Sequence, residues 1–301
     1  MNKKIRKSII DTLAWFECIN RPLSVKELFH NMWNSDCTFE NFESVLFEMI
    51  DKEEIFIHKR YVVRTKYQVD RYLKNEDIRE EFNKKDKRIV AWLKELPFIR
   101  GVYVVNSSAF GGQTRKSDLD LLIICKKNYI WLGRVLVTIV IELFGLRRRK
   151  NKIAGHICLS FFLAKTAMDI ENIQRSNHTD IYLIYWLIWA RPIVHYRNTR
   201  TLLLQNHWVR DYVPHVHRQD LSGVARFSPL ARFTENILYY SGIAFIINLL
   251  LRAYLKPRAE RKNKKSTAES SIIISDEVLK FHEADKRDEY FKKWKSNCEK
   301  I

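Results

Sequence analysis

The sequence predicts an α+β protein: a small mixed sheet covered by helices, with a helical module ending in a hairpin before it and a helical domain after it. Three observations carry this. Apolar residues recur at helical spacing over the first fifty residues and again beyond residue 169, whereas residues 98–163 set short apolar runs between turn signals around one long apolar helix. The chain holds only 8 Gly and 6 Pro, which disfavours collagen-like, linker-like and many-turned all-β designs. No repeat with a period of roughly 20–50 residues recurs, against a solenoid or propeller. At 301 residues and 46% hydrophobic, the chain is long enough for two domains and a smaller third piece, and it can bury a sizeable core.

In residues 1–66, Ile5, Ile9, Ile10, Leu13, Trp15 and Phe16 mark a first helix, which Arg21-Pro22 ends. Ser24 with Glu27 three residues on is a capping box for a second helix running to about Trp33. Thr38 opens a third, with Phe39, Phe42, Val45, Leu46 and Met49 on one face, and residues 55–63 read as a hairpin. Three helices and a hairpin make a winged-helix-like module. In many such modules the third helix reads DNA, but here it carries Glu40, Glu43 and Glu48 and no Lys or Arg, so it would repel phosphates. Packing or partner docking is the preferred reading. DNA binding is left to the wing residues Lys59, Arg60, Arg64 and Lys66.

Residues 67–97 form a charged connecting helix closed by Pro97. Residues 98–165 are the core: a strand over 102–105, a Ser/Gly-rich loop over 106–112, a strand over 119–125, an apolar helix over 129–146, the basic run Arg147 to Lys150, and a strand over 157–163. Residues 166–301 are a helical domain, with segments at 180–190, 202–212 and 276–298 and a mobile Lys/Arg/Ser-rich loop at 256–271. The uncharged stretch 236–251 falls short of the ~20 apolar residues of a membrane span, so a buried bundle helix is preferred over membrane contact. The aromatics Tyr182, Tyr185, Trp186 and Trp189 read as core rather than as a base-stacking platform.

The net charge is +18, which favours an anionic partner. Its distribution is uneven: residues 1–96 hold 19 Lys+Arg against 17 Asp+Glu, and residues 97–255 hold 21 against 9. The anion is therefore expected in the middle of the chain. Five widely spaced cysteines without a CxxC pair imply reduced thiols and a cytoplasmic setting. Asp11 and Glu17 interrupt the apolar N-terminal stretch, which argues against a secretory signal. His215 and His217 lack further ligands and read as loop histidines rather than a zinc site.

The chemistry sits in Asn106-Ser107-Ser108-Ala109-Phe110-Gly111-Gly112 and Ser117-Asp118-Leu119-Asp120. Two carboxylates two residues apart at the mouth of a strand share a face and repel each other unless a cation lies between them. A hard divalent ion with oxygen ligands suits them, and Mg²⁺ commonly arrives with substrate phosphates. The preceding loop offers hydroxyls and free N–H groups to a phosphate. Arg115, Lys116 and the run 147–150 could steer a triphosphate or a nucleic acid, or simply cap a helix.

This pattern resembles the nucleotidyltransferase superfamily that includes DNA polymerase beta, the minimal nucleotidyltransferases and the aminoglycoside nucleotidyltransferases. Their signature is an apolar strand, Gly-Ser, about ten residues, then Asp-apolar-Asp. The resemblance implies that Asp118 and Asp120 are catalytic and hold Mg²⁺ (or Mn²⁺), and that Asn106, Ser107, Ser108 and Ser117 surround an NTP. It implies transfer of an NMP group to a hydroxyl-type acceptor (RNA, protein or small molecule) with release of pyrophosphate. The longer pattern is similar to uncharacterised bacterial proteins containing this domain, through Trp131-Leu132-Gly133-Arg134, residues 157–162, Asn206-His207-Trp208-Val209, Tyr212-Val213-Pro214 and Phe281-His282. Two positions depart from the signature. Asn106 replaces its glycine, and the strand over 157–163 lacks the third carboxylate that serves as base. A non-catalytic nucleotide- or RNA-binding regulator is therefore the alternative, with a winged-helix DNA-binding regulator behind it.

Overall fold

A computed structural model describes residues 2–149, 151–196, 201–217, 221–263, 271–281 and 285–300. Lys150 and His282, both singled out above, lie outside them, as do residues 264–270 of the expected loop. The chain is α+β with a mixed sheet. It begins with α1 (Asn2–Cys18), β1 (Leu23–Ser24), α2 (Val25–His30), α3 (Phe39–Asp51), β2 (Phe56–His58) and β3 (Tyr61–Val63). The Ser24–Glu27 capping box forms, Thr38 caps α3, and β1 pairs beside the expected hairpin to give the order β1-β3-β2. The connecting segment is two helices, α4 (Lys66–Leu73) and α5 (Glu76–Leu93).

The central region supplies β4 (Ile99–Val105), the short α6 (Asn106–Phe110), β5 (Leu119–Cys125), α7 (Ile130–Leu143) and β6 (Ile157–Ala164). The last part holds α8 (Ile181–Trp189), β7 (Arg191–His195), α9 (Leu202–Gln205), β8 (Ala225–Arg226), α10 (Pro229–Tyr240), α11 (Ile243–Asn263), β9 (Ile273–Ile274), β10 (Val278–Lys280) and α12 (Arg287–Cys298). Seven strands order as β8-β7-β4-β5-β6-β10-β9, with β5 parallel to β6 and β4 antiparallel to both its neighbours.

Successive strand residues point to opposite faces, and both faces here are covered. Tyr103, Val105, Leu122 and Ile124 face a core shared with α1, α3 and α8; Val102, Val104, Leu121 and Ile123 face a second core shared with α5 and α7. The first core continues from Ile5 and Trp15 through Tyr185 and Trp208 to Trp294, so both ends of the chain pack on one side of the sheet.

Several expectations need correction. Residues 273–274 and 278–280 are strands, so the closing helix starts at Arg287 and not near 276. Residues 256–263 continue α11 and are not a loop. The segment 202–212 is a short helix followed by a 3₁₀ turn. The stretch 236–251 is not one buried bundle helix: it breaks at Ser241-Gly242, Gly242 takes φ +75°, and most of its large apolar side chains are exposed. No single helix among the described residues is long and apolar enough to cross a membrane.

Candidate functional site

Asp120 lies near the start of β5, on the sheet face that Leu122 and Ile124 turn toward α8. Asp118 stands two residues earlier, where the Gly155 N–H donating to the Ser117 carbonyl (2.7 Å) and the Leu119 N–H donating to the His156 carbonyl (2.9 Å) pin the strand entrance. In the parallel β5–β6 register Asp120 lies opposite Cys158, and the next pair is Leu122 with Phe161, so β6 carries an extra residue here. Such a bulge re-aims side chains. One oxygen from each carboxylate and the Cys158 sulfur lie within 4.8 Å of one another.

Burial is the largest cause pushing the Asp120 carboxyl up, to about 7; repulsion from Asp118 adds to it, and hydrogen bonds from Asn106 and Cys158 oppose it. Burial pushes the Cys158 thiol up to about 12, with Asp120 adding to it, so that thiol stays protonated. Arg148 donates to Asp118 at 2.7 Å and supplies the nearest positive charge.

Asn106 opens α6 with φ +57°, in the left-handed region that glycine adopts freely and Asn tolerates. Its side chain makes three hydrogen bonds. The carbonyl accepts from Trp186 Nε1 (2.8 Å) and the Tyr182 hydroxyl (3.1 Å), and Asn106 also bonds the Asp120 carboxylate. The expected Ser/Gly loop is thus one helical turn, closed by Gly111 at φ +78°.

Ser107 lines the cleft beside Asn106, Asp118 and Asp120. Ser108 does not: it is buried, and its hydroxyl donates to the Asp118 carbonyl at 3.4 Å. Ser117 also lies off the cleft, accepting from the Thr114 N–H (3.0 Å) in the turn before β5. The cleft has a volume of about 980 Å³, within the usual range for a small-molecule site. Its charged lining is eight cations against Asp118, Asp120 and Asp285. Arg147, Arg148 and Arg149 form part of it, whereas Arg115 pairs with Asp77 on the outer surface.

No family model, curated protein or solved structure matches this chain. The geometry therefore stands alone. Sequence reasoning missed Cys158, the pairing of Arg148, and the far wall of the cleft, built from Tyr182 and Trp186 of α8, Lys280 of β10 and Arg287 of α12. The alternation Ile157-Cys158-Leu159-Ser160 was a legible signal for a Cys158 side chain beside Asp120. Lys280 and Arg287 had none, because their segment was expected to be a single helix. Tyr182 and Trp186 serve both the core and the cleft wall. Around the β2–β3 hairpin, Arg64 pairs with Glu17, Lys59 with Asp70, Arg60 donates to the Tyr61 hydroxyl at 3.0 Å and Lys66 lies over the Phe56 ring, so each of the four basic residues expected to meet DNA has a partner within the protein.

Proposed function

We propose that this chain is a divalent-metal-dependent nucleotidyltransferase on a nucleotidyltransferase-like α/β core. One observation carries the reading: two carboxylates, one of them buried, converge at the base of a cleft whose other charges are overwhelmingly positive. A buried acidic pair is costly as it stands and gains most from a hard divalent cation. Asp118 and Asp120 would hold Mg²⁺ or Mn²⁺, which when bound supplies neutralisation of phosphate charge. The Cys158 thiol, protonated and soft, is a poor ligand for such an ion.

The protein's own groups have separable roles. Asn106 fixes the rotamer of Asp120 through bonds that also lock Tyr182 and Trp186. Ser107 and the cleft arginines would hold the triphosphate. Arg148 neutralises Asp118 in the metal-free protein and is placed to move onto a phosphate. The acceptor hydroxyl, on RNA, a protein or a small molecule, would enter from the open side.

Calorimetric titration of each NTP, with and without Mg²⁺, into the wild type and Asp118→Asn/Asp120→Asn tests this. Mg²⁺-dependent binding that the double variant loses is the expected result; a wild type that binds no NTP overturns it. Cys158, in the strand that supplies the third carboxylate in the resembled superfamily, favours a second reading, a non-catalytic nucleotide-binding regulator. That reading predicts Mg²⁺-dependent binding without pyrophosphate release in the presence of any acceptor.

A further inference from the structure

The pair α10–α11 inverts the usual amphipathic pattern. Two of its polar side chains, Glu235 and Asn248, face inward. Glu235 is buried, accepts from the Phe98 N–H at 2.9 Å and pairs with Arg100 and Lys126; Asn248 accepts from the Leu132 N–H at 3.0 Å. Its apolar side chains face outward: Phe233 is 64% exposed, Tyr240 82%, Phe245 59%, Ile246 57% and Leu250 64%. Twelve of the twenty-two exposed large apolar residues among those described fall between Leu230 and Tyr254, so the patch is concentrated in one element pair. Only a narrow stripe, including Ala231, Glu235, Ala244 and Asn248, is buried against the body of the protein. A surface helix of a water-facing monomer does the opposite.

We propose that the α10–α11 elbow docks this protein onto an anionic membrane surface. The helices are bent by 82° at their break, which suits a wedge lying in the interface rather than a straight span. Charge complementarity selects the occupant. Arg258 and Arg261 follow the apolar half of α11 on the same helix and Arg232 stands on α10, whereas Arg252 and Lys256 pair with Asp276. Arg258 and Arg261 are exposed, and Arg258 lies over the Tyr254 ring at 3.4 Å, an aromatic–cation pairing suited to the headgroup layer. The net charge of +18 acts in the same direction. The same helix continues into the cleft, where Arg258 and Ala259 form part of the wall, so docking would hold the cleft mouth about 20 Å or less along α11 from the inserted side chains. The docking proposal shares only Arg258 with the chemistry proposed for that cleft, and its test reads vesicle binding alone.

The test is co-sedimentation of the full chain with phosphatidylcholine vesicles, alone and mixed with phosphatidylglycerol. The wild type is expected to pellet with the anionic vesicles and far less with the neutral ones. Ile246→Glu/Leu250→Glu is expected to lower the partition roughly 100-fold, and Arg258→Glu/Arg261→Glu roughly tenfold, the latter effect shrinking at high salt. Both pairs are exposed, circular dichroism checks their folding, and Tyr240→Glu at the bend is a second probe should either fail. Anionic-vesicle binding that survives Ile246→Glu/Leu250→Glu would reduce the effect to adsorption of a basic protein and overturn the proposal. Wild type that stays in the supernatant would also overturn it, and a dimer in sedimentation velocity that the same variant dissociates would then assign the face to a second copy of the chain.

Discussion

At the scale of single residues, Asp120 sets stability against function. In an unfolded chain its carboxyl ionises near ~3.9, whereas in the native protein it keeps its proton up to about 7. Between those values folding takes up a proton, so stability falls as pH rises from about 4 to 7 and levels off above. Asp120→Asn removes that penalty. In metal-free buffer the variant should melt above the wild type at pH 8, and the gap should close toward pH 4. A gap independent of pH would mean the carboxyl is ionised throughout. Added Mg²⁺ should raise the melting temperature of the wild type only. Asn106 offers a second test. Asn106→Gly tolerates φ +57° but leaves the Trp186 and Tyr182 donors without their acceptor, an expected loss of roughly 1–3 kcal/mol in urea unfolding. An unchanged midpoint would place water on those donors. Asp118, Asp120 and Asn106 were legible in the sequence because their chemistry is local: a period-2 acidic pair and a residue tolerant of φ > 0. Ser108 was not, since which way a hydroxyl turns depends on packing that spacing does not encode.

At the scale of elements, α12 is held by its buried Trp294 and by ionic contacts at its first residue. Arg287 pairs with Asp180, itself the N-cap of α8, and with Asp285, and it donates to the Ile173 carbonyl at 2.8 Å. Both Arg287 and Asp180 are buried, so removing Arg287 leaves the Asp180 carboxylate without its ion-pair partner. Arg287→Met should cost roughly 3–5 kcal/mol, more than an exposed pair such as Lys52–Glu48 is worth. Denaturant titration of Arg287→Met and Lys52→Met checks this; equal, small losses would show that Asp180 finds solvent. The sequence predicts α1–α3, β4–β6 and α7 well because caps and periodicity are strong there. It misses β7 and β10, which are five and three residues long and take their pairing from strands far along the chain. Residues 191–195 contain Pro192, a helix stop when read locally, and a strand only because β4 lies alongside. The reversal of α10–α11 was hidden for another reason. A run of apolar residues reports that a surface avoids water, not which neighbour supplies the shelter.

At the scale of the molecule, the chain reads as successive modules but packs as one body. Trp15 of α1 stacks on Tyr185 of α8 at 5.5 Å, Trp294 of α12 donates to the Asp11 carbonyl at 2.8 Å, and Arg64 donates to the Asn297 carbonyl at 2.7 Å. Contact with the candidate site is closer still. Gly112, just after α6, approaches Ile19 so tightly that an added Cβ would stand 2.3 Å from the Ile19 carbonyl oxygen. Backbone cannot yield there as a flexible side chain would, so the N-terminal module and the turn carrying Asn106 and Ser107 are fixed to one another. Two consequences follow from that shared wall. Unfolding in urea should be a single transition by both tryptophan fluorescence and far-ultraviolet dichroism, with no separate melting of residues 1–66. Gly112→Ala should lower stability by about 1–3 kcal/mol and weaken nucleotide binding as well, although residue 112 touches no ligand. Two resolved transitions would show that the module folds alone and merely rests on the core. Loss of stability with nucleotide affinity intact would show that α6 keeps its geometry without the N-terminal wall. A coincident loss would make the first sixty residues part of the scaffold that aims Asn106 at Asp120.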